Sequence, residues 1–181
     1  MIYLSSDLHF CHNKDFIYGS RGYEDIDEHD IDIIKRFNSI VTEEDDVYLL
    51  GDYMLTDNEK GMKYINQLKG HLHFLLGNHD TIARKELLQS KPCSTMEGYA
   101  TVIKYKGWSF YLSHYPTITS NYDEKAPLKR RVINLCGHTH TKNRWCDWDK
   151  GLIYHVELDA HDCYPISIEE IINDLTNKTR D

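Results

Sequence analysis

Five short apolar runs recur along the chain, each closed by polar residues: Ile2-Tyr3-Leu4, Val47-Tyr48-Leu49-Leu50, Phe74-Leu75-Leu76, Phe110-Tyr111-Leu112 and Val132-Ile133-Asn134-Leu135-Cys136. They are too short for helices and rich in β-branched and aromatic residues, so they predict buried strands. A helical spacing links Ile31, Ile34 and Phe37 within Asp27 to Asn38. Thr56, with Glu59 as its capping-box partner, would cap a second helix reaching Leu68 and ending at Lys69-Gly70. A third helix is expected from Thr81 to Gln89. After Pro92 the pattern changes to a hairpin, Ala100 to Tyr105 and Trp108 to Ser113 about a Lys106-Gly107 turn. Leu152 to Leu158 alternates as another strand, and Ser167 opens a closing helix through Ile168, Ile171, Ile172 and Leu175, with Glu169 and Glu170 in its first turn. Crossover helices first and antiparallel strands later predict an α/β fold of two face-to-face mixed β-sheets flanked by helices.

Composition narrows the setting. A length of 181 residues suits a single domain over residues 1–181, and 40% apolar with 28% charged residues is ordinary for a globular chain. The five cysteines are scattered and odd in number, without a C-x-x-C pair, which points to a reducing compartment. Met1 leads straight into the first strand, with no basic-then-apolar leader and no long apolar span. A cytoplasmic protein without membrane contact is expected. The net charge of −8 opposes binding of extended nucleic acid, although bound cations would neutralise several carboxylates.

The polar clusters carry the chemistry. Asp7-Leu8-His9, Gly51-Asp52, Gly77-Asn78-His79-Asp80, His114 and Gly137-His138-Thr139-His140 each follow a predicted strand, the edge where open α/β sheets build sites. Asp7, His9, Asp52, Asn78, His114, His138 and His140 offer oxygen and nitrogen donors and no thiolate. That is too many for one tetrahedral zinc, and suits two ions sharing a carboxylate. The donor mix favours two divalent transition-metal ions (Mn, Fe, Zn or Co) over the oxygen-seeking Ca and Mg. A carboxylate ending a buried strand is costly unless paired or metal-bound, which applies to Asp7 and Asp52.

This order of motifs, from Asp7 to His140, resembles the calcineurin-like metallophosphoesterase superfamily, and most closely its small single-domain bacterial or phage members. The resemblance implies a βαβ-derived sandwich. It also implies one ion held by Asp7, His9 and His140, another by Asn78, His114 and His138, and Asp52 bridging them. A hydroxide between the ions would be the nucleophile, His79 the general acid, and Asp80 its orienting partner. One departure is Phe10-Cys11-His12, where similar proteins often read F-G-H. His12 would either reach the phosphate or stand behind the ligands.

Other residues have two readings. The basic cluster Lys125, Lys129, Arg130 and Arg131 is either a solvated loop or a rim that draws an anionic substrate, with Arg130 and Arg131 as its contacts. Tyr53, Tyr115 and Tyr122 are candidates to line the pocket, and Trp145, Cys146 and Trp148 form either an apolar wall or a packed corner. His29, His71, His73, His155 and His161 read as ordinary surface or hydrogen-bonded histidines. The function expected is a dinuclear phosphohydrolase acting on a small phosphoester or nucleotide-type substrate, with phosphodiesters first. A monoesterase or nucleotide pyrophosphatase is the alternative. A silent metal-binding scaffold is disfavoured because Asn78, His79 and His140 are all present.

Overall fold

The computed structural model describes residues 1–120 and 125–178. Strands β1 (Ile2–Ser5), β2 (Asp46–Leu50), β3 (His71–Leu75) and β4 (Ser94–Gly98) pair in parallel, and β9 (Ile166–Ser167) adds an antiparallel edge beside β1. The second sheet has the order β5-β6-β7-β8, with β5 (Ala100–Tyr105), β6 (Trp108–Ser113), β7 (Val132–Cys136) and β8 (Ile153–His155). Its β5–β6 pair is antiparallel, and its β6–β7 and β7–β8 pairs are parallel. Both sheets are therefore mixed, as the pattern predicts.

The strands of the first sheet bury both faces. Val47, Leu49, Leu72 and Phe74 pack with Ile33, Phe37 and Ile65 of the helices, while Leu4, Leu50 and Leu75 face Phe110, Leu112, Ile133 and Leu135 of the second sheet. This is why their apolar runs are nearly unbroken instead of alternating. Each such side chain contributes roughly 1.5–3 kcal/mol by leaving water. Ile168, Ile171 and Leu175 of the closing helix α5 (Ile168–Lys178) seal the core between the sheets.

The helices are α1 (Asp15–Tyr18), α2 (Ile26–Ile40), α3 (Asn58–Ile65), α4 (Ile82–Gln89) and α5. In α2 the buried face is His29, Asp30, Ile33, Ile34 and Phe37, and Ile31 is exposed. Asp57, not Thr56, caps α3 by accepting from Lys60 N. Thr56 is in the left-handed region (φ 62°), whereas a cap is extended, and its hydroxyl instead donates to Cys11 O at 2.6 Å. That helix also stops at Ile65, short of Leu68. The helix expected from Thr81 to Gln89 is α4, and Thr81 is its N-cap, accepting from Arg84 N. Strand β4, Ser94-Thr95-Met96-Glu97-Gly98, escaped prediction because it is a half-exposed edge without an apolar run. Past His155 the chain leaves β8, and Leu158–Ala160 forms a short 3₁₀ turn. Among the described residues no helix is long and apolar enough to cross a membrane.

Candidate active site

The polar clusters converge at the C-terminal ends of β1, β2, β3, β6 and β7. Asp7 (φ 59°), His9 (φ 51°), Asp52 (φ 59°), His138 (φ 76°) and His140 (φ 50°) all hold left-handed backbone. Non-glycine residues are uncommon there, and such strain persists where surrounding structure enforces it. The motif glycines allow the carboxylates to approach: a Cβ at Gly77 would overlap the Asp52 carboxylate, and one at Gly137 would overlap Ser6 and the Asp7 carboxylate.

Two ligand sets result, Asp7 with His9 and His140, and Asp52 with His114 and His138. His9 Nε2 and His140 Nε2 lie 3.1 Å apart, each 3.6 Å from Asp7 Oδ1. In the other set His114 Nε2 is 2.8 Å from Asn78 Oδ1 and 3.2 Å from His138 Nδ1. Asp52 Oδ2 stands between the sets, 3.8 Å from His9 Nε2 and 3.4 Å from His114 Nε2. Its Oδ1 accepts from His79 N at 2.9 Å, and the His79 ring brings Nε2 to 3.9 Å from Oδ2.

The outward nitrogens of the imidazoles are also held. His114 Nδ1 donates to Leu50 O at 2.8 Å, and His140 Nδ1 donates to Asp159 Oδ2 at 3.1 Å. A carbonyl or carboxylate oxygen only accepts, so each bond leaves the inner Nε2 available to an ion. His9 Nδ1 lies 3.1 Å from His12 Nδ1, so His12 stands behind a ligand. Asp159 in turn takes a two-point bond from Arg21 (2.7 and 3.1 Å), and Arg21 also donates to Asp7 O at 2.8 Å. Arg21 Nη1 reaches His29 Nε2 at 2.9 Å, His29 Nδ1 reaches Asp30 Oδ1 at 2.8 Å, and Asp30 Oδ2 accepts from Cys11 N at 2.9 Å. Glu157, fully buried, accepts from Thr139 Oγ1 (2.8 Å) and Thr141 N (3.1 Å) and pairs with His155 (3.0 Å), fixing the His138–His140 loop.

Charge follows this geometry. Burial raises the Asp7 carboxyl, but the close approach of His9 and the charges of His9, His114 and His140 overcome it and hold it well below the usual carboxylate range. Burial lowers His114, yet its hydrogen bond to Asp52 and the charges of Asp7 and Asp52 push it up to about 9. His9 and His138 are lowered, chiefly by burial. His12 is depressed to about 4 by burial and by the neighbouring histidines, which suits an acceptor for His9 Nδ1.

Several sequence expectations change here. Asp80 does not face the His79 ring: its carboxylate accepts from Asp52 N and Gly77 N, both at 2.8 Å, and from Tyr53 N at 3.4 Å. Those amides outcompete an imidazole, so Asp80 staples two ligand loops. Arg130 and Arg131 precede the first residue of β7, at the end opposite His138, and Lys129 Cε packs against the Lys106-Gly107 turn. The rim reading of that cluster is not realised. Tyr53 is fully buried with its hydroxyl donating to Leu49 O at 2.6 Å, while Tyr115 does line a cavity beside His114. Tyr122 lies outside the described residues. Trp145 packs edge-on against Tyr154 at 4.8 Å, forming a corner of the second sheet, beside an open groove of about 810 Å³ that Trp148 also lines. Arg21, Asp30, Glu157 and Asp159 were missed. Their one sequence signal is that Glu157 and Asp159 close the alternating segment Leu152 to Leu158.

The donors fit a metal centre. Asp7 Oδ1 is buried without a hydrogen-bond partner among the described residues, facing two imidazole nitrogens at 3.6 Å, and a cation is what satisfies all three. Such a donor set at the strand ends of an α/β sandwich makes this a candidate metal-binding centre. Residues 1–154 match the calcineurin-like phosphoesterase superfamily domain, and the chain belongs to that superfamily. It is 34% identical over 126 residues to the uncharacterized protein MJ1445 of Methanocaldococcus jannaschii, a match covering 67% of this chain and 64% of that protein, under two thirds of its length. Among solved structures, protein AQ665 of Aquifex aeolicus, of unknown function, superposes with a TM-score of 0.71 at 24% identity, covering 96% of this chain and 98% of the other. A novel archaeal phosphodiesterase does so at 0.50 and 17% identity, covering 88% and 86%. These two likenesses concern the fold.

Proposed function

We propose that the chain is a single-domain, dinuclear phosphodiesterase. The observation that carries this reading is the placement of Asp52 Oδ2 within 3.8 Å of His9 Nε2 and 3.4 Å of His114 Nε2, one from each ligand set. Asp7, His9 and His140 would hold one divalent ion, Asn78, His114 and His138 the other, and Asp52 both. Mn, Fe, Zn or Co suits these donors. When bound, such ions supply positive charge to the phosphoryl oxygens and lower the pKa of water.

The remaining work falls to the chain. Asn78 lies exposed beside the second set, and the His79 ring is 41% exposed, so the phosphoryl position is open on its outer side. That openness suits a phosphorus carrying two ester groups. His79, anchored through its backbone N–H on Asp52, holds a proton at Nε2 for the departing oxygen. Asp80 keeps the loops of Asp52 and Asn78 together. The substrate is a small phosphoester or nucleotide-type molecule, not extended nucleic acid, and all five cysteines are free, in keeping with a reducing cytoplasm.

Purified protein loaded with Mn²⁺ should hydrolyse bis(4-nitrophenyl) phosphate with a higher kcat/KM than 4-nitrophenyl phosphate or a dinucleoside pyrophosphate. A preference for the monoester or the pyrophosphate would overturn the diester reading.

A further inference from the structure

A cavity of about 270 Å³ opens beside the second ligand set, lined by Asn78, Tyr99, Tyr111, His114, Tyr115 and Thr117 among others. Tyr115 lies edge-on to His138 (4.6 Å, 67°) and to His114 (5.2 Å, 69°). The cavity wall and two proposed ligand imidazoles are thus one continuous surface. A group attached to a phosphorus at the centre would enter the cavity without crossing open solvent.

The lining says what kind of group. Tyr99 is 74% exposed and Tyr115 51%, so two large rings are left partly wet in one concavity next to the reactive centre. The two aliphatic hydroxyls of the lining are already engaged: Ser113 Oγ and Thr117 Oγ1 both donate to Tyr115 O, at 2.8 and 3.0 Å. Apart from His114, itself a proposed metal ligand, the lining holds no Asp, Glu, Lys, Arg or His side chain, so a second phosphate finds no oppositely charged partner. Ring faces and edges favour another planar ring, by offset or edge-to-face contact. The volume is below the roughly 300–1,000 Å³ of sites that enclose a whole drug-sized ligand, which limits the occupant to one ring system.

We propose that this cavity is the subsite for a planar, uncharged aromatic ring esterified to the scissile phosphate, either directly as an aryl ester or through the sugar of a nucleoside. The inference rests on the diester reading above and extends it from reaction to substrate class. Tyr115 and Tyr99 are then specificity residues that touch the retained part of the substrate.

Binding to the Mn²⁺-loaded protein tests this by calorimetry with phenyl phosphate, thymidine 5′-phosphate and methyl phosphate. An aromatic ligand should bind about tenfold more tightly than methyl phosphate, the size expected for one stacked ring. Tyr115→Leu and Tyr99→Ala should each cut that preference to about threefold or less, and Tyr115→Phe should keep it. Kinetics on bis(4-nitrophenyl) and methyl 4-nitrophenyl phosphate, which share a leaving group, should show the same loss of preference in KM. Metal content is measured in each variant, and Tyr99→Ala, which removes a ring without the edge contacts to His114 and His138 that Tyr115 makes, separates ring loss from metal loss. Tight binding of thymidine 5′-phosphate would identify the ring as a nucleobase, and tight binding of phenyl phosphate alone would identify an aryl ester. Equal weakening toward aromatic and methyl ligands, or an undiminished preference in both variants, would overturn the proposal. A binding preference without diester hydrolysis would retire the proposed reaction and leave the subsite standing.

Discussion

Asp159 Oδ2 accepts from His140 Nδ1 at 3.1 Å and from Arg21 Nη2 at 2.7 Å, so an imidazole of the proposed metal site rests on a carboxylate that is itself clamped by a buried guanidinium. Arg21 and Asp159 side chains are only 1% and 3% exposed, and Arg21 also holds the carbonyl of Asp7. The set Asp7–His9–His140 thus leans on a buried charged network. In the other set His114 leans on a single backbone carbonyl.

This asymmetry has a measurable result. Asp159→Asn should weaken the ion held by Asp7, His9 and His140 by about 10–100-fold, the usual effect of losing a hydrogen-bonded support of a metal ligand. Elemental analysis after dialysis should find close to one ion per chain in the variant and two in the parent. Two retained ions of equal affinity would show that the support is dispensable.

Asp52 faces both sets, so Asp52→Ala should lose both ions and essentially all turnover, whereas His140→Ala should weaken one site and recover part of its activity in excess metal. Because ions bind only the folded state, chelation should lower the melting temperature of the parent and abolish hydrolysis. An Asp52→Ala protein with near-normal metal content would refute the bridge.

His79 is proposed to act on a proton and not on an ion. His79→Ala should keep both metals and lose about 10²–10⁴-fold toward an alkyl or nucleoside diester, but much less toward a nitrophenyl diester, whose leaving group departs unaided. Asp80→Asn, which disturbs loop amides and not the imidazole, should reduce activity on both substrate types alike and lower metal content. Rates on both substrates with one metal-quantified preparation decide the matter.

Metal uptake should release protons. In the metal-free protein His114 is raised to about 9, above about 6.5 for an unperturbed imidazole, so it is charged at pH 7.5 and must lose a proton to bind an ion. Calorimetric titrations in buffers of different ionisation enthalpy should report that release, and affinity should climb until about pH 9. The stability effect has the opposite sign: the raised value stabilises the metal-free fold below about pH 6.5 and is lost as pH rises through about 9. A metal-free melting temperature that rose over that range would contradict the assignment.

The residues of the two proposed ligand sets stand out in the sequence because each occupies a short cluster at the end of an apolar run, where a polar side chain is costly to bury without a partner. The supports do not, since Arg21 and Asp159 are ordinary charges 138 positions apart and meet only once both sheets are built. Asp80 misled for the converse reason: it adjoins His79 in the chain, but its carboxylate turns to the amides of Gly77, Asp52 and Tyr53. The sheets followed from apolar runs, while β4, with none, and the displaced cap of α3 depended on pairing and backbone geometry.

The left-handed torsions at Asp7, His9 and Cys11, and again at His138 and His140, fall on every second residue. Asp7, His9, His138 and His140 are the teeth of a ratchet that carries the donors, with a single residue as the gap within each pair, while Cys11, packed in the core, carries none. Any replacement at a tooth must satisfy two demands at once, donor chemistry and tolerance of a backbone that most side chains resist. Asparagine meets the second demand at Asp7 and removes the charge, so it isolates electrostatics. Valine, β-branched and a poor fit to that torsion, would bend the ratchet itself, and its damage should reach ligands it never touches.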